Sequence, residues 1–250
     1  MFKIFRHSLA FLTILPVSPK SQLTVVDMGR FPGYYPLVGV VLGAFSVLAF
    51  WFWQNLGLPD PITAVFIVAF QVILTRGFHL DGVADTADAL LSHKPLEKRF
   101  EILKDSHLGT FGVTAVVLDI ILKISFITLI SPYPIAATAI FLYPIWGRVT
   151  ASVVAVLSKN ARPGPGLGFN MVEYSCFREL FLAILTTTLI SLIFGASTFL
   201  TSLLVLLFSL ILIPIWHKSL GGVTGDLLGA SLEIGEIASL TFFVLLCLPK

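Results

Sequence analysis

The sequence predicts an all-α, polytopic integral membrane bundle. Of its 250 residues, 56% are hydrophobic and only 12% are charged, and the mean hydropathy is +0.95. A soluble globular chain carries about 25% charged residues. Uncharged apolar runs of spanning length follow one another along the chain. The length leaves room for one membrane-embedded catalytic domain over residues 1–250 and none for a separate soluble one. Any chemistry then falls to the spans and their short connecting loops.

Lys3 and Arg6 precede a short apolar run, Ser8 to Leu15, followed by Pro16 and Pro19. Without a small-x-small cleavage site, this reads as a retained interfacial or re-entrant helix rather than a cleaved signal peptide. Seven spans are expected after it: 34–56, 61–78, 111–130, 134–157, two within the uncharged run 180–216 broken near Gly195, and 229–248. Basic residues then alternate between loops. Lys3, Arg6, Lys20 and Arg30 come before the first span, and Lys94, Lys98, Arg99 and Lys104 lie between the second and third. Lys159, Arg162 and Arg178 lie between the fourth and fifth, and Lys218 between the sixth and seventh. All of these fall on one side, which the positive-inside rule makes cytoplasmic. Only Lys250 falls on the other. The reading is a multi-pass protein of the cytoplasmic (inner) membrane, with its N-terminus and long loops in the cytoplasm. Cys176 and Cys247 fall on opposite faces and have no metal-like spacing, so no disulfide is expected.

Three acidic patterns carry possible chemistry. Asp81, Asp85 and Asp88 follow the second span at i, i+4, i+7, within an arc of about 60° at about 100° per residue. Like charges on one face beside a bilayer repel and are costly to desolvate, and a divalent cation removes both costs. Gly82, Ala84, Thr86 and Ala87 between them allow close approach of a ligand or helix. Asp226, Glu233 and Glu236 share a second face, within about 80° on a continuous helix. Glu233 and Glu236 lie at membrane depth, either as functional carboxylates or in a salt bridge to Arg76 or Arg148. The preceding Gly221-Gly222-Val223-Thr224-Gly225 resembles a backbone cradle for phosphate. The third pattern is Lys104-Asp105-Ser106-His107. Asp105 either joins a metal shell or, with Glu97 and Glu101 and the interleaved basics, lines a solvated helix.

Within the spans, Asp119 and Lys123 sit at i, i+4 and read as a structural ion pair. Arg148 has no local partner and requires a carboxylate or an anionic ligand. Arg76 adjoins the aspartates, and His79, His217 and Lys218 are placed to line the same pocket. Carboxylates, a divalent cation and basic side chains together suit a diphosphate ester. The alternative from another class is an ion-coupled transporter using the intramembrane carboxylates. The chain shows no repeated halves, and its outer side is nearly bare of polar residues.

These blocks resemble the cobalamin synthase (adenosylcobinamide-GDP ribazoletransferase) family over nearly the whole chain. The resemblance rests chiefly on Gly77-Phe-His-Leu-Asp-Gly-Val-Ala-Asp-Thr-Ala-Asp88 and on Gly221-Gly-Val-Thr-Gly-Asp226 through Glu236. Phe11 to Pro16, Tyr35 to Gly39, Asp105 to Gly112, Arg148, Ala161-Arg162 and Gly166 to Gly168 add to it. Arg76 and Ala89 stand where the family usually has Gly. The resemblance implies cobamide biosynthesis. Adenosylcobinamide-GDP and α-ribazole, or its 5′-phosphate, give adenosylcobalamin, or its 5′-phosphate, and GMP, by attack of the ribose 3′-hydroxyl. It implies Mg²⁺, with Asp81, Asp85, Asp88 and Asp226 as ligands and Asp105, Glu233 and Glu236 as further candidates. Asp88 is the candidate general base, and Arg148 and Lys104 are the candidates for contacting phosphate. Arg76, His79, His107, Lys218 and Thr224 are the candidate substrate contacts. Expected partners are these substrates and the lipid bilayer, without nucleic acid. A homo-oligomer or a complex with other cobamide-assembly enzymes stays open.

Overall fold

The computed structural model describes residues 2–17, 22–105, 107–162, 164 and 166–249, and no strand forms among them. The N-terminal run is α1 (Phe2–Leu12), whose end is tied to the bundle by Ile14 N–H donating to the Leu74 carbonyl at 2.8 Å. A short α2 (Val25–Gly29), capped by Thr24 and Asp27, is held to α1 by Lys3 and Asp27 at 3.0 Å. A 3₁₀ turn, Phe31–Tyr34, leads into α3 (Tyr35–Asn55).

The second expected span is α4 (Asp60–Leu74), and it stops short of Phe78. Arg76 and Gly77 take φ of 58° and 63°, and the chain turns through 90° into α5 (Phe78–Leu91). We read α4 as the crossing arm and α5, with its acidic face, as lying outside the membrane-spanning segments. After α6 (Leu96–Ile102) come α7 (Thr110–Ile130) and α8 (Ala136–Leu157). Then α9 (Leu167–Glu173) bends by 97° into α10 (Phe177–Ile193). Gly195 separates α10 from α11 (Ala196–Leu220), as expected, and α12 (Gly225–Cys247) closes the bundle. Among the described residues, five helices are long and apolar enough to cross a membrane, or up to seven when each bent pair supplies one crossing. A 21-residue helix such as α3 is about 31 Å long, enough for a hydrocarbon core of about 30 Å.

The helix α8 is the axis of the bundle, with an unbroken buried stretch from Leu142 to Ala155. Glycines let its neighbours approach closely. A Cβ at Gly39 of α3 would lie 2.7 Å from the Ile145 Cα. The large exposed apolar side chains of α7, α10 and α11 are Leu, Ile, Val and Phe, the composition of a lipid-facing surface. The polar connections meet at one end. Asn160 and Val223 form a parallel bridge, and the Arg99 Nη1 donates to the Ser219 carbonyl at 2.9 Å.

Candidate functional site

At that end α5 crosses α12. A Cβ on Gly82 would lie 2.6 Å from the Asp226 carbonyl oxygen, and one on Gly229 would lie 3.4 Å from the His79 Cα. Only glycine permits this contact, and the contact brings the aspartates of α5 beside Asp226. Asp85 is pushed up to about 6, first by burial, then by the charges of Asp81, Asp226 and Asp88. Asp81 is exposed, while Asp85 and Asp226 are half-buried. Carboxylates from two helices therefore repel one another where α5 and α12 cross.

Asp88 sits in the same cluster but is engaged by backbone. Its Oδ2 accepts the Gly109 N–H at 2.8 Å and its Oδ1 the Gly112 N–H at 2.9 Å. It caps the N-terminus of α7, where unpaired N–H groups and the helix dipole favour a negative charge. Asp88, expected as a metal ligand and general base, also holds a helix start with its two oxygens. The cap also explains the glycines. A Cβ on Gly112 would stand 3.1 Å from the Asp88 Cγ and 3.0 Å from the Ala84 carbonyl oxygen. We expect Asp88→Ala to destabilise the protein by about 1–2 kcal/mol, and Gly112→Ala to do the same by displacing the carboxylate. Thermal unfolding in detergent measures both. Unchanged melting would remove the cap.

Next to Asp226 lies a polar hollow lined by Asn160, Arg162, Gly166, Gly168, Thr224 and Asp226. Thr224 caps α12, accepting the Leu227 N–H at 3.4 Å and donating to Asp226 Oδ2 at 3.2 Å. The loop carrying Arg162 is held there by backbone: Ala161 N–H donates to the Val223 carbonyl, and Val223 N–H to the Lys159 carbonyl, each at 2.9 Å. Sequence reasoning counted Arg162 only as a cytoplasmic charge. Its pairing in one block with Ala161, just before Gly166 and Gly168, was the available signal. A second cleft, lined by Arg76, Phe78, Asp81 and Leu108, opens on the other side of α5. Lys104 and Lys218 are exposed. Asp105 pairs with His107 at 2.6 Å, and both are exposed. They lie past the end of α6 and form a surface pair.

The structure places Arg148, Glu233 and Glu236 together in a buried ion-pair network, the salt-bridge alternative of the sequence reading. On α12, Glu233 and Glu236 lie seven and ten residues beyond Asp226, or about 10 and 15 Å deeper at 1.5 Å per residue. Sharing a helix face fixes direction and leaves depth free. There, cations already meet them. Lys123 pairs with Glu233, with Glu236 at 2.9 Å and with Asp119 at 3.1 Å. Arg148 Nη1 donates to Glu236 Oε1 at 3.1 Å and to the Pro144 carbonyl at 2.9 Å. Arg148 is 1% exposed. Of its two expected partner types, the carboxylate is the one present. The Asp119–Lys123 pair forms as predicted and belongs to this larger network.

With this geometry in view, the chain can be set beside known proteins. The family model described as cobalamin-5-phosphate synthase matches residues 4–244. The chain belongs to this family. It is 36% identical over 241 residues to the adenosylcobinamide-GDP ribazoletransferase of Caldanaerobacter subterraneus subsp. tengcongensis, covering 96% of each chain. It is 34% identical over 236 residues to the protein of the same name from Clostridium acetobutylicum, covering 94% of this chain and 91% of the relative. A third of that name, from Thermoanaerobacter pseudethanolicus, is 36% identical over 243 residues and 95% of each chain. No solved structure matches. Arg76 stands at φ 58°, a left-handed position where glycine carries no Cβ penalty.

The donors suit a hard divalent cation. Asp226 lines a hollow with a glycine-rich loop and Arg162, Asp81 lines the neighbouring cleft, and Asp85 lies within electrostatic reach of both. Among the described residues, no three His, Cys, Asp or Glu side chains converge tightly enough to enclose an ion. Mg²⁺ does not demand such a cage, since it commonly takes one or two carboxylates, water and substrate phosphates.

Proposed function

We propose that this protein catalyses the ribazole transfer for which its relatives are named, as the last joining step of cobalamin synthesis. Adenosylcobinamide-GDP and α-ribazole, or its 5′-phosphate, are the substrates. Adenosylcobalamin, or its 5′-phosphate, and GMP are the products. The ribose 3′-hydroxyl oxygen bonds to the cobinamide-linked phosphorus, the bond from that phosphorus to the bridging oxygen breaks, and the hydroxyl proton passes to a carboxylate. The observation that carries this reading is the family match across residues 4–244 together with the crossing of α5 and α12 that sets Asp81 and Asp85 beside Asp226.

Mg²⁺ is the cofactor of this reading, held by Asp81, Asp85 and Asp226. When bound, it supplies charge neutralisation of the diphosphate and of the departing phosphate. The chain's own residues do the rest. Arg162 and the backbone around Gly166 and Thr224 receive the nucleotide phosphates. Asp88 fixes the start of α7 against α5 and so holds the acidic face in register. The buried Lys123 and Arg148 network holds α7, α8 and α12 together beneath the site. The site faces the cytoplasm across the inner membrane, because the basic loops gather at its end.

The test is product formation by the purified protein in nanodiscs with both substrates. GMP release and adenosylcobalamin formation are expected with Mg²⁺, to be lost on EDTA treatment and restored by added Mg²⁺. Turnover unaffected by EDTA would remove the metal, and absence of any product would remove the reaction.

A further inference from the structure

A third cavity, of about 120 Å³, lies beneath the acidic hollow, lined by Phe11, Tyr35, Phe78, His79, Met171 and Leu228 among others. It carries no Asp, Glu, Lys or Arg. It is continuous with the functional site on both sides. Gly168 and Gly225 line both it and the Arg162–Asp226 hollow, and Phe11 and Phe78 line both it and the Asp81 cleft. The cavity has aromatic walls, and the residues it shares with the Asp226 hollow and the Asp81 cleft put it next to both.

One polar side chain stands in that wall without a partner. His79 is 3% exposed, and neither ring nitrogen makes a hydrogen bond. Its Nδ1 lies 3.8 Å from Glu233 Oε1, beyond hydrogen-bond reach. A buried imidazole with no partner is costly, and most such groups are satisfied. The Tyr35 hydroxyl, also buried, has only the Met171 sulfur as acceptor, at 2.8 Å. An apolar slot with one or two unmet polar groups is the usual form of a small-molecule subsite.

We infer that this slot receives the flat heteroaromatic base of the acceptor nucleoside, and that His79 donates a hydrogen bond to the base's free ring nitrogen. The inference rests on the transfer reaction proposed above and deepens it by placing the acceptor. With the base in the slot, the sugar sits at the mouth beside Asp81, Asp85 and Asp226, where its hydroxyl reacts. The slot selects for a base that is apolar at its edges and carries one acceptor nitrogen. A base bearing several exocyclic polar groups leaves them unpaired against Phe11, Phe78 and Leu228.

The experiment is equilibrium binding to the purified protein in nanodiscs, without the nucleotide substrate. The probes are α-ribazole, whose base is a benzimidazole, and its indole analogue, in which carbon replaces the free ring nitrogen. The wild type should bind the indole analogue at least about tenfold more weakly. His79→Ala should weaken α-ribazole by a similar factor, leave the indole analogue unchanged, and leave binding of adenosylcobinamide-GDP unchanged. His79→Gln, which retains a donor, should recover part of the loss. The comparison of ligands uses the wild type, so it stands even where the alanine variant folds poorly. Equal binding of the two nucleosides by the wild type overturns the inference, as does a His79→Ala loss shared by both or confined to the nucleotide substrate. Product formation by a wild type that shows no nitrogen preference keeps the proposed reaction and removes only this slot assignment.

Discussion

Asp85→Asn and Asp226→Asn are each expected to lower turnover by at least about a hundredfold, with insertion and thermal stability retained. The size follows from the place of the two groups. Asp85 and Asp226 come from different helices and meet where Gly82 lets α5 and α12 touch, and Asp226 lines a hollow with Arg162. Asparagine is nearly the same shape, so the helix contact survives. What is lost is negative charge toward a bound cation. Stability should hold or rise, because each substitution removes a repulsion that burial and neighbouring carboxylates impose on Asp85. A purely structural role gives the opposite pattern, with falling stability and near-normal turnover per folded molecule. Steady-state GMP release and thermal unfolding on the same preparations separate the two. Normal turnover in either variant removes the acidic hollow as the reaction site.

Much of the architecture was legible in the sequence because a bilayer leaves few solutions. Charge depletion, run length and the alternation of Lys and Arg between loops predicted the spans, and the break at Gly195 falls where the uncharged run exceeds one crossing. The turn after α4 was less legible. Apolar residues continue to Phe78, but Arg76 and Gly77 adopt positive φ and end the helix at Leu74. The i, i+4, i+7 spacing placed Asp81, Asp85 and Asp88 on one face correctly. It carried no information on what the carboxylates would meet. Asp88 meets two amides of α7, contributed by glycines some twenty residues away in a loop with no periodic signal. Glu233 and Glu236 show the same limit. Periodicity put them in line with Asp226, and the rise per residue put them a third to a half of a hydrocarbon core deeper. Arg162 stood in a block of the family resemblance, but its place beside Asp226 depends on a backbone bridge between two distant loops, which no sequence pattern shows.

Lys123→Met is expected to destabilise the protein by about 3–5 kcal/mol, the largest stability effect in the molecule. Lys123 is the one group that touches Asp119, Glu233 and Glu236 together, and all four are buried. Methionine matches the length of the stem and removes only the ammonium. Three carboxylates are then left with Arg148 alone, which reaches Glu236 and not the other two. Removing one partner of a buried pair costs more than removing both, so a second substitution should help. Lys123→Met with Glu233→Gln should recover part of the loss, whereas Lys123→Met with Asp85→Asn should not, because Asp85 belongs to the separate acidic hollow. Thermal unfolding of the single and double variants in one detergent measures the coupling. Additive effects for Lys123 and Glu233 would show that the network is a set of independent polar groups. Strong coupling there, with none to Asp85, identifies two charge systems at different depths: a neutralised one that holds α7, α8 and α12 together, and a separate one of mutually repelling carboxylates where α5 crosses α12.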